Sequence, residues 1–209
     1  MKSGRFITLE GGEGTGKSTL LQGLLNSLKR HGVECTVTRE PGGTPLAEAI
    51  RDLVLNAPGE NDWQPLSRAL LMNAARQDHL ETLIKPELKK GRWVLCDRFA
   101  DSTRVYQGME GLGSPVIRAL EDLVVGTGRP DLTLILDAAP EDVISRREQR
   151  GTQDVFEGKE IDFHKGVREA FLDIAKAEPE RCIVLDAMQS PDDVLNAAMK
   201  AITDRLIHD

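Results

Sequence analysis

Short apolar runs alternate with longer stretches of helical periodicity along the 209-residue chain. Residues 6–10 (FITLE), 34–38 (ECTVT), 93–97 (WVLCD), 132–137 (LTLILD) and 182–186 (CIVLD) are short, rich in Val, Ile and Leu, and barely alternate. Runs of this kind suit strands covered on both faces, as in a parallel sheet. Helices are predicted between them, over 17–30, 46–55, 66–90, 115–125, 140–150, 162–177 and 191–207. In the first, Leu20, Leu21, Leu24, Leu25 and Leu28 recur at helical spacing, and Gly32 stops the helix. Pro86 must kink or break the third. Pro115, Pro140 and Pro191 fall where a first turn accepts proline. The alternation predicts an α/β architecture with right-handed crossovers and helices on both faces of the sheet. No repeat, low-complexity tract or long linker divides the chain, so residues 1–209 read as a single domain. Residues 151–161 (GTQDVFEGKEI) are polar and poorly periodic. Composition makes them a solvated loop, with a mobile flap as the alternative.

Composition narrows the picture. Apolar residues make up 40% of the chain, but there are only five Phe, two Trp and one Tyr, so the core is built from Leu, Ile, Val and Ala. The formal charge of −7 argues against a general nucleic-acid binder and favours small anionic ligands held at a local site. Cys35, Cys96 and Cys182 each sit in an apolar run and form no CxxC pair, which reads as buried thiols in a reducing compartment. No stretch reaches the ~18 apolar residues of a membrane span, and the first residues lack the apolar stretch of a signal peptide. The expectation is a cytoplasmic protein without a membrane partner.

Residues 11–18 (GGEGTGKS) carry the clearest chemistry. Gly11, Gly16, Lys17 and Ser18 match G-x-x-x-x-G-K-[ST] at every fixed position, between a predicted strand and a predicted amphipathic helix. A loop that wraps a polyphosphate turns several backbone amides inward, which Gly11, Gly12, Gly14 and Gly16 permit. Lys17 reaches the β- and γ-phosphates of ATP, and Ser18 offers a hydroxyl to Mg²⁺. Glu13, Thr15 and Thr19 complete the nucleotide-binding segment. Three classes share such a loop: a kinase for a small acceptor, a GTP-dependent switch, and a motor ATPase. A switch would carry NKxD and DxxG strings, which are absent from the sequence. A motor calls for a basic surface and a longer chain. Asp97 and Arg98 close the predicted strand WVLCD, where ligands bind in parallel sheets. Asp97 is placed to hold Mg²⁺ through water, or alternatively to cap the next helix.

The motifs FITLEGGEGTGKST, TREPGGTPLAEAIR, NAARQDHL, CDRFADSTRVYQG, RPDLTLILD and VLDA together resemble the thymidylate kinase family in its bacterial form, over nearly the whole chain. The resemblance implies a P-loop NTPase-type sheet of five parallel strands, a short flap (LID) over the site at about 148–161, and a homodimer. It also implies transfer of the γ-phosphoryl group of ATP to dTMP, with Mg²⁺. Residue by residue, it gives Glu13 the acceptor sugar 3′-hydroxyl and gives Arg51 and Arg98 the acceptor phosphate. Arg76 takes a thymine carbonyl and Gln107 the base edge. Thr103 lies beside the base, and Glu40 and Pro41 line the same pocket. Lys17, Arg98, Arg150 and Glu13 form the catalytic set. The bacterial form has glycine in the P-loop where another form has arginine, and Gly14 stands there. The missing charge then comes from the flap or the helix leading into it. Two positions depart from the pattern. Met72 stands where the family has Phe against the thymine ring. Val155 stands where relatives carry a flap arginine, which leaves Arg147 and Arg150 to compensate, with Lys159 a weaker substitute. Arg146 lies against adenine by the same resemblance. Another nucleoside monophosphate such as dUMP, and a binding module without turnover, remain the alternatives.

Overall fold

The structure is a computed structural model that describes residues 4–58, 61–148 and 161–207. Five parallel strands form one sheet in the order β2-β3-β1-β4-β5: β1 (Phe6–Gly11), β2 (Cys35–Arg39), β3 (Trp93–Asp97), β4 (Leu132–Asp137) and β5 (Cys182–Asp186). All four pairings are parallel, which requires crossover connections. The described helices are α1 (Lys17–Arg30), α2 (Pro45–Leu55), α3 (Pro65–His79), α4 (Lys85–Lys89), α5 (Ala100–Met109), α6 (Ser114–Val124), α7 (Pro140–Glu148), α8 (Ile161–Ala177) and α9 (Pro191–Ile202).

Strand parity sorts the core into two layers. Ile7 and Leu9 of β1 point to a cluster that holds Leu20, Leu24 and Leu28 of α1 with Val194, Ala198 and Ile202 of α9. Phe6 faces the other way, into a cluster with Leu80, Ile84, Val94, Cys96 and Phe99. Farther along that second face, Ile135 meets Val105 of α5 and Val167, Phe171 and Ile174 of α8. Full burial of a Leu or Phe side chain stabilises by roughly 1.5–3 kcal/mol. These layers therefore hold the strand ends of the site at fixed separation.

Four expectations are adjusted. Burial on both faces holds for β1, β3 and β4, whereas the edge strands β2 and β5 are only partly covered. The predicted helix 66–90 is broken, as Pro86 required, but ahead of the proline, into α3, a π-helical turn at Leu80–Ile84, and α4, because Pro86 lacks an amide hydrogen and its ring crowds the preceding turn. α5 has no counterpart among the predicted helices. The last helix ends at Ile202 and continues as a π-helical turn, Thr203–Ile207. Gly32 follows α1 with φ 74, and the Val33 amide donates to the Leu28 carbonyl, the glycine stop that the sequence foretold.

Candidate active site

Parallel register brings the phosphate loop and the end of β3 together. Leu9 pairs with Asp97 and Gly11 with Leu136, so the loop after β1 emerges between the carboxyl ends of β3 and β4. Gly11 has φ 129, and a Cβ there would stand 2.4 Å from the Leu136 carbonyl oxygen. Only glycine lets the loop leave the sheet at this point. Gly16 enters α1 at φ 95 and no side chain caps it. The first amides of α1 are thus free for an anion, at the positive end of the helix dipole. Lys17 Nζ donates to the Gly11 and Gly12 carbonyls at 3.0 and 2.7 Å, and Thr15 Oγ1 donates to the Gly12 carbonyl at 3.0 Å. Burial, and after it the charge of Arg98, push the Lys17 ammonium down to about 7.

Arg98 follows β3 with φ 69, in the left-handed region. Strain of this sort persists where the surroundings over-determine it. The Arg98 amide donates to the Leu9 carbonyl, and its Nη1 donates to the Gly11 carbonyl at 3.2 Å and Ser102 Oγ at 3.1 Å. Its guanidinium lies 5.1 Å from the centre of the Tyr106 ring. Behind it, the fully buried Glu10 accepts from the Phe99 amide, the Ser102 amide and Ser102 Oγ. Burial, reinforced by Asp101, pushes the Glu10 carboxyl up to about 7 despite those donors.

A cavity of about 260 Å³ opens beside Glu13. It takes in all the residues expected on the acceptor side: Glu13, Glu40, Pro41, Arg51, Met72, Arg76, Arg98, Thr103 and Gln107. Arg51 Nη1 donates to the Pro41 carbonyl at 2.9 Å. Arg76 is buried, with Nε donating to Glu40 Oε2 at 2.7 Å and Nη2 to the Phe99 carbonyl and Thr103 Oγ1. The second Glu40 oxygen meets His79 Nδ1 at 3.0 Å, so its carboxylate is engaged with the wall. Gln107 Oε1 is buried without a hydrogen-bond partner. In the same wall, Arg68 reaches Glu110 Oε1 at 3.5 Å and Asp62 at 2.5 Å, while Arg68 Nε and Glu110 Oε2 make no hydrogen bond. Buried polar groups are normally paired. Gln107, Arg68 and Glu110 all line this cavity, so its wall carries polar atoms left without partners.

On the opposite side of the loop, Thr15, Gly16, Thr19, Arg146 and Gln189 line a smaller cavity. Arg146 donates to the Ala187 carbonyl at 2.8 Å and the Gly14 carbonyl at 3.3 Å, tying α7 to the loop. Ser18 Oγ is 3.3 Å from Asp97 Oδ2, and Asp97 Oδ1 is buried with no partner. Arg150, Val155 and Lys159 lie outside the described residues, as does the side chain of Arg147.

Glu10, Ser102, Tyr106, Arg68 and Glu110 do not stand out in the sequence. A signal existed for Glu10, which shares strand parity with the inward-facing Phe6 and Thr8. Ser102 stands four residues after Arg98, in the first turn of α5. Arg68 and Glu110 gave no signal, since they meet only through the packing of α3 against the end of α5.

The sheet order, the uncapped glycine cradle and the adjoining cation-lined cavity define a P-loop nucleotide enzyme of the α/β class, with cavities flanking the phosphate loop. The family model described as thymidylate kinase matches residues 9–198. The chain is 50% identical to a thymidylate kinase of Bradyrhizobium diazoefficiens over 208 residues, spanning 98% of this chain and 91% of the relative. It is 49% identical to that of Caulobacter vibrioides over 207 residues, spanning 99% of each. The crystal structure of thymidylate kinase from Ehrlichia chaffeensis superposes with a TM-score of 0.77 at 34% identity, over 96% of this chain and 99% of that one. The chain belongs to the thymidylate kinase family.

Proposed function

We propose that the chain transfers the γ-phosphoryl group of ATP to dTMP, giving dTDP and ADP and so supplying dTTP, with the P-loop on the donor and the cavity beside Glu13 on the acceptor. Family membership carries the reaction. The observation that supports this assignment of pockets is that Glu13 and Arg98 stand where the cavity meets the phosphate loop. An acceptor phosphate held there lies next to the donor's terminal phosphate.

The attacking phosphate dianion is already a nucleophile, so no strong base is required. What the chain supplies is position and charge. The free amides of α1 and Lys17 hold the β- and γ-phosphates, and Arg98 and Arg51 hold the acceptor phosphate against the repulsion of the two anions. Glu13 takes the sugar 3′-hydroxyl. Arg76 and Gln107 read the base edge beside Thr103, and Met72 covers the ring with a polarizable but non-planar group. Arg146, Thr15 and Thr19 sit on the adenosine side. The orphaned Asp97 Oδ1 next to Ser18 fits Mg²⁺, which is held by one or two protein oxygens plus substrate phosphates. When bound it would neutralise phosphate charge.

Gly14 brings no cation into the loop, and Arg150 is our candidate to supply one. Arg150→Ala is expected to lower kcat by ~10²-fold or more with little change in dTMP binding. Stopped-flow or steady-state kinetics would check this, and unchanged turnover would remove Arg150 from the mechanism. A second copy of the chain fits the apolar side chains left exposed on the packed helices α2, α3 and α6, among them Leu46, Leu53, Leu66, Leu70, Val116 and Leu123. The reading is therefore a homodimer. Three free cysteines among the described residues are consistent with a cytoplasmic location.

The test is a coupled ADP-release assay with ATP, Mg²⁺ and a panel of nucleoside monophosphates. Turnover with dTMP well above dUMP, UMP and AMP is the expected outcome. A single methyl group is worth only ~1–3 kcal/mol, so dUMP retains measurable activity. Equal rates with AMP or UMP would overturn the acceptor assignment.

A further inference from the structure

We infer that Glu10 is a positioning residue for phosphoryl transfer, acting through the Ser102 hydroxyl to orient the guanidinium of Arg98. The inference rests on the role given to Arg98 in the proposed function.

A carboxylate on a fully buried strand position is costly unless donors surround it. Glu10 has three. The Phe99 amide donates to Oε1 at 2.7 Å, the Ser102 amide at 3.3 Å, and Ser102 Oγ donates to Oε2 at 2.6 Å. Two of these donors are backbone amides at the start of α5, whose own N-cap residue, Phe99, offers no capping side chain. Glu10 therefore caps α5 from another strand and complements its dipole.

Capping alone does not account for the third bond. A hydroxyl has one proton. With that proton given to Glu10 Oε2, the Ser102 oxygen has only lone pairs left, and it turns them to Arg98 Nη1 at 3.1 Å. The same Nη1 meets the carbonyl of Gly11, the residue after Glu10, at 3.2 Å. Consecutive residues of β1 thus fix both the start of α5 and the direction of the arginine between them. The polarity of the chain is set at its buried end. If Glu10 presented an amide N–H in place of Oε2, Ser102 would have to accept from it, and the hydroxyl proton, deprived of the acceptor that fixes it, would no longer hold a lone pair on Arg98.

The experiment uses the full-length enzyme. Glu10→Gln keeps shape and reverses that polarity, and Ser102→Ala removes the link. Each is expected to lower kcat/KM for dTMP by ~10-fold or more while KM for ATP stays within about twofold. Ser102→Thr, which keeps the hydroxyl, retains activity. In an Arg98→Ala background, Glu10→Gln and Ser102→Ala cost nothing further, since residues of one network are not additive. A fall in Tm with unchanged dTMP kinetics would reduce Glu10 to a helix cap and overturn the inference, as would full additivity with Arg98→Ala. Should Glu10→Gln fail to fold, Ser102→Ala and Ser102→Thr distinguish the same two outcomes. If Arg98→Ala itself leaves dTMP kinetics intact, the reading of Arg98 falls and this inference falls with it. If Arg98→Ala is damaging and the others are silent, only this inference falls.

Discussion

Arg98→Ala is expected to lower kcat/KM for dTMP by ~10³-fold or more, the scale of arginines that neutralise a transferring phosphoryl group. The geometry explains why no neighbour would substitute. Arg98 is half-buried where the phosphate loop meets the acceptor cavity, fixed by Gly11 and Ser102 and stacked on Tyr106. Arg51 lines the same cavity but is directed to the Pro41 carbonyl, and Arg76 is directed to Glu40. Lys17 serves the loop carbonyls on the donor side. The backbone adds a control. At φ 69 an alanine carries the same left-handed strain as the arginine, whereas glycine does not. Arg98→Gly should therefore be more stable than Arg98→Ala by about 1–2 kcal/mol, yet equally inactive. Steady-state kinetics and thermal melts of the two variants separate strain from chemistry. Equal activity of Arg98→Ala and the parent protein would remove Arg98 from the transfer step.

Arg76→Ala is expected to destabilise the fold by ~3–5 kcal/mol, because it strands a buried carboxylate. Glu40 is 5% exposed and Arg76 3%, and their 2.7 Å contact lies inside a network that continues through His79 to Thr38. In a chain of this size such a loss lowers Tm by roughly 10 °C. The same variant removes the donors proposed for the thymine carbonyl, so dTMP binding falls as well. The two effects separate in the double variant Arg76→Ala with Glu40→Gln. Neutralising the stranded group should recover part of the stability, as read by thermal or urea unfolding, and none of the dTMP affinity. Recovery of both would mean that Arg76 serves the fold alone.

The legible parts of the fold were local ones. The strands β1, β3 and β4 are apolar runs, and the cradle is one continuous string between a strand and a helix, so composition and spacing suffice for both. α5 escaped because the face it buries is polar: Asp101, Thr103 and Gln107 are as buried as Val105. A helix that turns its polar side chains inward, to serve a cavity and a salt-bridge network, shows no apolar stripe to read. The break at Leu80–Ile84 depended on how a proline is relieved in three dimensions. Within the site, the resemblance named residues at motif positions, and all of those it assigned to the acceptor side line one cavity. Glu10 was missed because its function depends on a partner 92 residues away. Its position in a strand suggests only an odd charge in a core.

The Arg68 and Glu110 pair in the wall of the acceptor cavity bears on ligand design. Arg68 Nε is a spare donor and Glu110 Oε2 a spare acceptor, both shielded from water on residues that line the pocket with Gln107 and Arg76. A lengthened thymidine analogue that turns Arg68 and Glu110 toward it, ending in an acceptor beside a donor such as a primary carboxamide, would satisfy the two atoms at once. Neither atom then needs a solvent partner. Such a compound draws on Arg68 and Glu110, which have no part in the contacts proposed for dTMP, so inhibitor selectivity can be built there without imitating the phosphate.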